Sequence, residues 1–253
     1  MNREKLIKLG SRAAKKGFKN EKDIVKKFNN WQNDEDAQEW LRIMGYRLKD
    51  IEKVKAIIIT GSYKTDVQVQ ITIYFKEAIS VENLSVKLAT NSQGFNQIDK
   101  RWVDKYVKMW DIPENIKNAL KLFTGEIKPK KEKLRDSRRM FLDEMDVKTQ
   151  KIIVNFFNRN KILIVSDILK GTDDFSVEWM MVVLKIKSRN PEWCLKPINQ
   201  VLNFFGSGDV QITNKGSLKI GKITMQRKGG DAGRKTSKML QFKINPVELF
   251  NNL

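Results

Sequence analysis

From Val67 to Phe75 apolar and polar residues alternate without a break. Val67, Val69, Ile71, Ile73 and Phe75 fall on one side, and Gln68, Gln70, Thr72 and Tyr74 on the other. Successive side chains of a strand point to opposite faces, so this period of two predicts a half-buried β-strand. A second run of the same period covers roughly Asn83 to Leu88, with Leu84, Val86 and Leu88 opposed to Ser85 and Lys87. Upstream, Lys55 to Thr60 is a short continuous apolar run that fits a buried strand, and Gly61-Ser62 marks a turn after it. These three segments begin a central sheet.

Helical spacing dominates elsewhere. Ile24, Val25, Phe28 and Trp31 form an apolar stripe in a helix that Asn20 can cap, with Glu21 in its first turn. Asn33 can cap a second helix ending near Gly45. After a loop around Gly94, Asn96 can cap a helix carrying Ile98, Trp102, Tyr106 and Val107 on one face. Pro113 opens another, ending near Gly125. Asp146 caps a further amphipathic helix, and Pro197 starts the helix PINQVLNFFG. Two stretches stay open on pattern alone. KILIVSDILKG reads as a strand or buried segment, and DFSVEWMMVVLKI as helix or strand, with Met180-Met181 as core filling. The last fifty residues change character, because glycines separate short β-prone runs (DVQIT, SLKIGKITMQRK, MLQFKI) that predict an antiparallel β subdomain. The fold class expected is α/β, a mixed central sheet flanked by helices plus that C-terminal subdomain. One domain, 1–253, divides in chain order into a core with flanking helices (1–125), a helical connection with the second half of the core (126–205) and a β-rich region (206–253).

Composition adds what the pattern leaves out. The 253 residues carry 49 Lys+Arg against 30 Asp+Glu, a formal net charge of +19. That excess points to a polyanionic partner, nucleic acid first and anionic membrane second. The charge is interleaved with hydrophobic residues, which make up 40% of the chain, so a packed core is expected rather than a disordered basic tail. No apolar run approaches the roughly 18 residues of a membrane span, and MNREKLIKLG lacks the apolar centre of a signal peptide. A single cysteine, Cys194, fits a reducing compartment such as the cytoplasm. There is no histidine, which removes Ser-His-Asp and Cys-His catalysis and histidine-ligated zinc. Hydrolytic chemistry is left to carboxylates, lysine and a hard metal.

Asp66 stands at the leading end of the alternating run. If the two strands pair as a hairpin, it lies beside Ser85 and Lys87 at one edge of the sheet. A carboxylate can hold Mg2+, which prefers oxygen ligands and keeps several waters. A lysine on the next strand can help deprotonate the attacking water and offset the charge that develops on the phosphate. The same three residues also read as a turn cap and a solvated strand face. Glu21 is either a carboxylate stabilised by a helix dipole or an outer carboxylate near the metal. Phe95 is either a hydrophobic staple at a helix start or, with Gln97 and Lys100, an apolar wedge entering DNA between base steps. EIKPKKEKLRDSRR (126–139) is the densest basic stretch, either a solvated linker or a phosphate-contacting connection. In Arg227-Lys228-Gly229-Gly230-Asp231-Ala232-Gly233-Arg234 the glycines can bring backbone close to a ligand while Arg227, Lys228 and Arg234 reach guanine O6 and N7. The bland alternative is a mobile basic hairpin tip.

Taken together, a set of short stretches goes further. GFKNEKDI (17–24), Asp66 with Ser85-Val86-Lys87, GFNQIDK (94–100), FTGE (123–126), RRMF (138–141), DILKG (167–171), GSGD (206–209), QRKGGDAGR (226–234) and MLQFKINPVELF occur in that order. In order and spacing they resemble the small Hin-type type II restriction endonucleases that cut GCGC. The resemblance covers almost the whole chain. It implies a PD-(D/E)XK nuclease core and magnesium-dependent cleavage of double-stranded DNA after the first G of GCGC, leaving 5′-phosphates and 5′ overhangs. It makes Asp66 the metal-binding aspartate and Lys87 the active-site lysine. Phe95, Gln97 and Lys100 match a segment that approaches the minor groove, and Arg227, Lys228 and Arg234 one near the major groove or the phosphates. The target is cut by a homodimer or by a monomer acting twice, and a cognate DNA methyltransferase is implied as a functional partner. One departure stands at the centre. The similar enzymes have Gln, with eighteen residues between it and the aspartate, where this chain has Ser85; the shorter hydroxyl would act through a water, with weaker metal affinity. Two rivals remain at this point: a sequence-specific DNA-binding protein on the same scaffold with little or no catalysis, and a repair-type nicking endonuclease.

Overall fold

The structure is a computed structural model that describes residues 3–61, 64–73, 79–130, 132–187, 189–230 and 234–251. Ser62, Tyr74, Phe75 and residues 231–233 of the sequence expectations lie outside it. Contacts divide the chain into two compact units, each drawn from separated segments. One comprises Ser11–Asn96, Leu169–Leu202 and Asn245–Leu253, and the other Met1–Gly10, Gln97–Ile168 and Asn203–Ile244.

The first unit is built on a five-stranded mixed sheet. Its strands are β1 (Ile51–Ile58), β2 (Val67–Ile73), β3 (Ile79–Ala89), β5 (Trp179–Leu184) and β6 (Glu192–Pro197), in the order β1-β2-β3-β5-β6. β1, β2 and β3 run antiparallel, β3 and β5 are parallel, and β5 and β6 are antiparallel. The expected hairpin therefore forms, but β3 is the middle strand, and residues 85 and 87 sit at the centre of the sheet rather than at its edge. β1 and β6 are the edge strands instead. Ile57 and Ile58 are only half-buried, so the isoleucine run is not the fully buried strand its composition suggests. The Asn29 side chain pairs with β1 by accepting from the Ala56 amide at 2.7 Å and donating to the Ala56 carbonyl at 3.1 Å, which occupies part of an open strand edge.

The helices over this sheet are α1 (Arg3–Asn29) and α2 (Glu35–Ile43). Ile24, Phe28, Trp40 and Leu41 from these helices pack with Val67, Val69, Ile71, Leu84 and Met181 in one core. The Phe28 and Trp40 rings lie 5.1 Å apart, and Trp193 meets Trp40 edge-on at 5.7 Å. Two capping expectations fail. α1 continues far upstream of Asn20, so that residue is a buried interior position and Glu21 is not in a first turn. The cap of α2 is Asp34, not Asn33; its carboxylate accepts from the Ala37 amide at 3.0 Å.

The other unit carries β4 (Asn96–Arg101), which joins β10 (Leu240–Ile244), β9 (Ile223–Arg227), β8 (Leu218–Ile220) and β7 (Val210–Ile212) in that order. The C-terminal antiparallel strands are as expected. β4 is a correction, because residues 96–101 read as the start of a helix. Pairing with a strand from the far end of the chain is a tertiary term that local spacing does not contain. The helix begins one turn later, as α3 (Val103–Trp110), followed by α4 (Glu114–Thr124), α5 (Val147–Arg159) and α6 (Lys161–Leu169). α6 is the open KILIVSDIL run. Ile164, Val165, Ile168 and Leu169 are buried while Ile162 and Leu163 are exposed, a helical pattern hidden by an excess of apolar residues. α7 (Ile198–Gly206) follows Pro197 as expected. In this unit Tyr106, Trp110, Phe157 and Phe242 form an aromatic cluster. No described helix is long and apolar enough to cross a membrane.

Candidate active site

The site begins where β2 begins. Val67 pairs with Leu84, and the ladder extends one residue further, with the Asp66 amide donating to the Leu84 carbonyl at 2.8 Å. On its other side the Asp66 carbonyl accepts from the Ile59 amide at 3.1 Å. The Asp66 backbone is thus held from both sides while its side chain turns onto β3. One oxygen, Oδ2, accepts from the Val86 amide at 2.6 Å, from Lys87 Nζ at 3.1 Å and from Ser85 Oγ at 3.2 Å. Lys87 Nζ also donates to the Val86 carbonyl at 3.3 Å, which fixes the ammonium over the strand. The Ser85 side chain is buried.

Glu21, on α1, lies within electrostatic range of Asp66 and Lys87. Burial raises its proton affinity, the negative charge of Asp66 raises it further, and the positive charge of Lys87 pulls it back. Two carboxylates and one ammonium therefore lie within each other's field. Among the described residues no cluster of three or more His, Cys, Asp or Glu side chains forms a ready-made metal cage. The donors that are present fit a hard divalent cation all the same. Glu21, Asp66 and Ser85 offer oxygen only, and a cation there would relieve the like-charge stress on Glu21.

A model of the R.HinP1I restriction endonuclease family matches residues 44–250. The chain belongs to that family. It is a type II restriction endonuclease, a site-specific deoxyribonuclease. Among solved structures it resembles the restriction endonuclease MspI, described in complex with its cognate DNA. The likeness covers 88% of this chain and 87% of that one, with a TM-score of 0.63 at 13% sequence identity. At that identity the likeness is one of fold, and it agrees with a PD-(D/E)XK-like mixed sheet flanked by helices. No curated protein matches the sequence.

The remaining residues singled out in this endonuclease fall in two places. Phe95 is half exposed, in the loop between β3 and β4, and its role as a staple at a helix start lapses because a strand follows. Asn96 caps no helix and instead donates to the Leu88 carbonyl at 3.1 Å. Gln97 and Lys100 are exposed on β4. Arg227 ends β9 with a largely buried side chain whose Nε donates to the Ser237 carbonyl at 3.1 Å. Lys228 follows, half-buried, and Arg234 is exposed before a short 3-10 turn. Sequence reasoning missed Asp136, Arg138 and Arg139, which gather against Arg227. They were visible as part of the basic stretch 126–139, but charge density alone did not separate an ordered cluster from a linker.

Proposed function

We propose that this endonuclease hydrolyses both strands of duplex DNA at a short palindrome with Mg2+ as its cofactor. The target proposed is GCGC, cut after the first G to leave 5′-phosphates and 5′ overhangs. The observation that carries the catalytic assignment is the convergence of Ser85, the Val86 amide and Lys87 on one oxygen of Asp66, beside Glu21.

Asp66 and Ser85, with Glu21 as an outer carboxylate, are the residues that would hold the metal. Bound there, magnesium supplies Lewis-acid stabilisation of the phosphate and a lowered pKa for the attacking water. The chain's own groups do the rest. Asp66 keeps its second oxygen, Oδ1, clear of the three hydrogen bonds that anchor Oδ2. Lys87 holds a positive charge on the central strand, where it can orient the nucleophile and offset charge that develops on the phosphate oxygens. Strand positions make both placements rigid, which is what an in-line displacement needs.

Phe95, Gln97 and Lys100 are proposed to approach the minor groove, and Arg227, Lys228 and Arg234 the major groove or the phosphates. MspI, which shares the fold, is in complex with its cognate DNA, and the +19 balance supports a polyanionic ligand here. Residues 1–253 are proposed to act as one endonuclease domain. Two copies, or one copy acting twice, cut the palindrome in the cytoplasm, where a cognate methyltransferase protects the host's own sites. The test is a digest of unmethylated plasmid with magnesium and with EDTA, the ends mapped by sequencing. Discrete magnesium-dependent ends at GCGC are expected. Discrete ends at another site would discard the target, nicks in one strand would discard double-strand cutting, and cutting in EDTA would discard the metal.

A further inference from the structure

The second unit contains an ordered recess that the proposed chemistry does not use. It is lined by Asp136, Arg138, Arg139, Arg227, Gly229, Gly230 and Ser237, and its volume is about 280 Å3. That is room for roughly nine waters at about 30 Å3 each, so the space is larger than a solvent-filled packing gap.

Its walls are built rather than incidental. The Asp136 carboxylate accepts from Arg138 Nε at 2.8 Å, Arg138 Nη2 at 3.0 Å and the Arg138 amide at 3.0 Å. Arg139 Nε lies 3.6 Å and Arg227 Nη1 4.0 Å from the same carboxylate. One acid thus organises three guanidinium groups. Arg138 holds its carboxyl well down, at about 2, so it stays charged at any working pH. Arg139 lies over two aromatic rings, its guanidinium carbon 3.9 Å from the centroid of Phe141 and 5.8 Å from that of Phe123. Its side chain is 17% exposed, yet Nε has no hydrogen-bond partner among the described residues. Burial and the neighbouring Arg227 both lower the proton affinity of Arg139. An arginine is therefore desolvated and set over a ring, its Nε ion-paired with Asp136 but beyond hydrogen-bond distance of it.

The opposite lip is backbone. Gly229 and Gly230 have φ of 62° and 56°, and a Cβ built on either would meet nothing within 4 Å. Two glycines in the left-handed region, facing open space beside stacked arginines, let a flat group approach closely.

We infer that this recess receives the major-groove edge of a guanine in the target, with Arg139 donating to O6 and N7 and Asp136 and Phe141 fixing the plane of its guanidinium. The inference rests on the reading that duplex DNA is the substrate, and it adds Arg139 as a specificity-determining residue. Two observations favour a base edge over a backbone phosphate. Asp136 adds an acceptor to the wall, and a base pair presents the cytosine N4 donor beside the guanine acceptors, whereas a phosphate has no donor to offer it. The Arg139 guanidinium is set in a recess and over an aromatic ring, where a flat base edge can enter. A phosphate contact needs neither the recess nor the ring.

The experiment first maps the wild-type site, then replaces each of its guanines in turn by 7-deazaguanine, which removes N7 alone. Single-turnover cleavage of each duplex is measured with the wild-type protein and with Arg139→Lys, which keeps the charge and loses the fork. One guanine is expected to be sensitive in the wild type, by roughly tenfold to a hundredfold. Arg139→Lys is expected to lose discrimination at that base pair while keeping the salt dependence of duplex binding. Equal cleavage of every deaza substrate by the wild type would overturn the inference, and this arm needs no variant to fold. Retained discrimination by Arg139→Lys, or a uniform loss across sequences with a smaller salt slope, would overturn it in favour of a phosphate contact. If the wild type cut no DNA at all, the functional reading would fail with it; if it cut a discrete site insensitively, the recess assignment alone would fail.

Discussion

Replacing Asp66 by Asn is the sharpest test of the site, because size is nearly conserved and charge is not. In the native protein Oδ2 accepts three donors, two of them the Val86 amide at 2.6 Å and the Lys87 ammonium at 3.1 Å. The side chains of Lys87 and Asp66 are 16% and 27% exposed. At an effective permittivity of about 20 the gross attraction of two such charges is about 5 kcal/mol, most of it cancelled by the cost of desolvating both. An amide oxygen can keep the Val86 bond, and the loss of negative charge also relieves Glu21. The net cost to folding is therefore about 1–3 kcal/mol, or roughly 2–12 °C in Tm for a chain of this size. Catalysis is expected to suffer far more. With the proposed metal ligand gone and the Lys87 ammonium released, single-turnover cleavage should fall by at least about 10³. Binding to the duplex, measured by gel shift in EDTA across a salt series, should change little, because the basic surface is untouched. Cleavage within tenfold of wild type in a protein with the expected Tm would refute the catalytic role of Asp66. A collapse of Tm together with binding would make it a structural residue instead.

Three further outcomes follow from particular contacts. Glu21 has a raised proton affinity in the fold. A folded-state pKa above the unfolded value means that ionisation costs stability as pH rises from about the ordinary carboxylate value of 4.5 through the folded one. Glu21→Gln should therefore raise Tm at pH 7, with the gain disappearing below about pH 4, and should shrink the Tm increase that added Mg2+ gives; a gain that persisted in acid, or an unchanged magnesium effect, would remove Glu21 from the metal site. Ser85→Gln should lower the magnesium concentration needed for half-maximal cutting at a folding cost of about 1–3 kcal/mol, because the position is buried opposite Met180; unchanged magnesium dependence and rate would show that residue 85 is no ligand. Gly125 has φ of 78°, and a Cβ there would lie 2.7 Å from the Arg138 carbonyl. Gly125→Ala should cost about 1–3 kcal/mol in denaturant melts, and a neutral result would mean that the 125–139 connection is looser than these contacts imply.

The convergence of Ser85 and Lys87 on Asp66 was legible in sequence because it depends on local rules. Strict alternation placed Ser85 and Lys87 on one face, and a two-strand hairpin brought Asp66 to them. What alternation could not say is which strand lies in the middle. That depends on β5, nearly a hundred residues away in sequence, pairing in parallel with β3. The same limit explains β4, whose helical spacing was overridden by a non-local partner, and α6, where an excess of apolar residues erased the periodicity that would have identified it. Asn20 illustrates a different failure. Its residue type suits a cap, but α1 runs through it, and its amide nitrogen is buried with no hydrogen-bond partner among the described residues. The Arg139 recess was beyond reach because it depends on a turn, a stacked ring and a hairpin distant in sequence meeting at one carboxylate.

The exchange of glutamine for Ser85 is best weighed by what it does not change. Both residues are neutral, so the charge offered to a metal, two carboxylates against the one ammonium of Lys87, stays the same. What changes is reach. A glutamine oxygen would extend well beyond the strand, whereas the Ser85 hydroxyl lies back on Asp66 Oδ2 at 3.2 Å and so anchors the carboxylate and offers a metal only a short-reach oxygen. In the proposed site, metal affinity would then lean more heavily on Asp66 and on Glu21, the one donor carried by a helix instead of a strand. Helix α1 is consequently the part of the site whose small displacements should matter most. This places the expected sensitivity to magnesium concentration in the packing of Ile24 and Phe28 against Trp40 and the sheet, one and two turns along the same helix from Glu21.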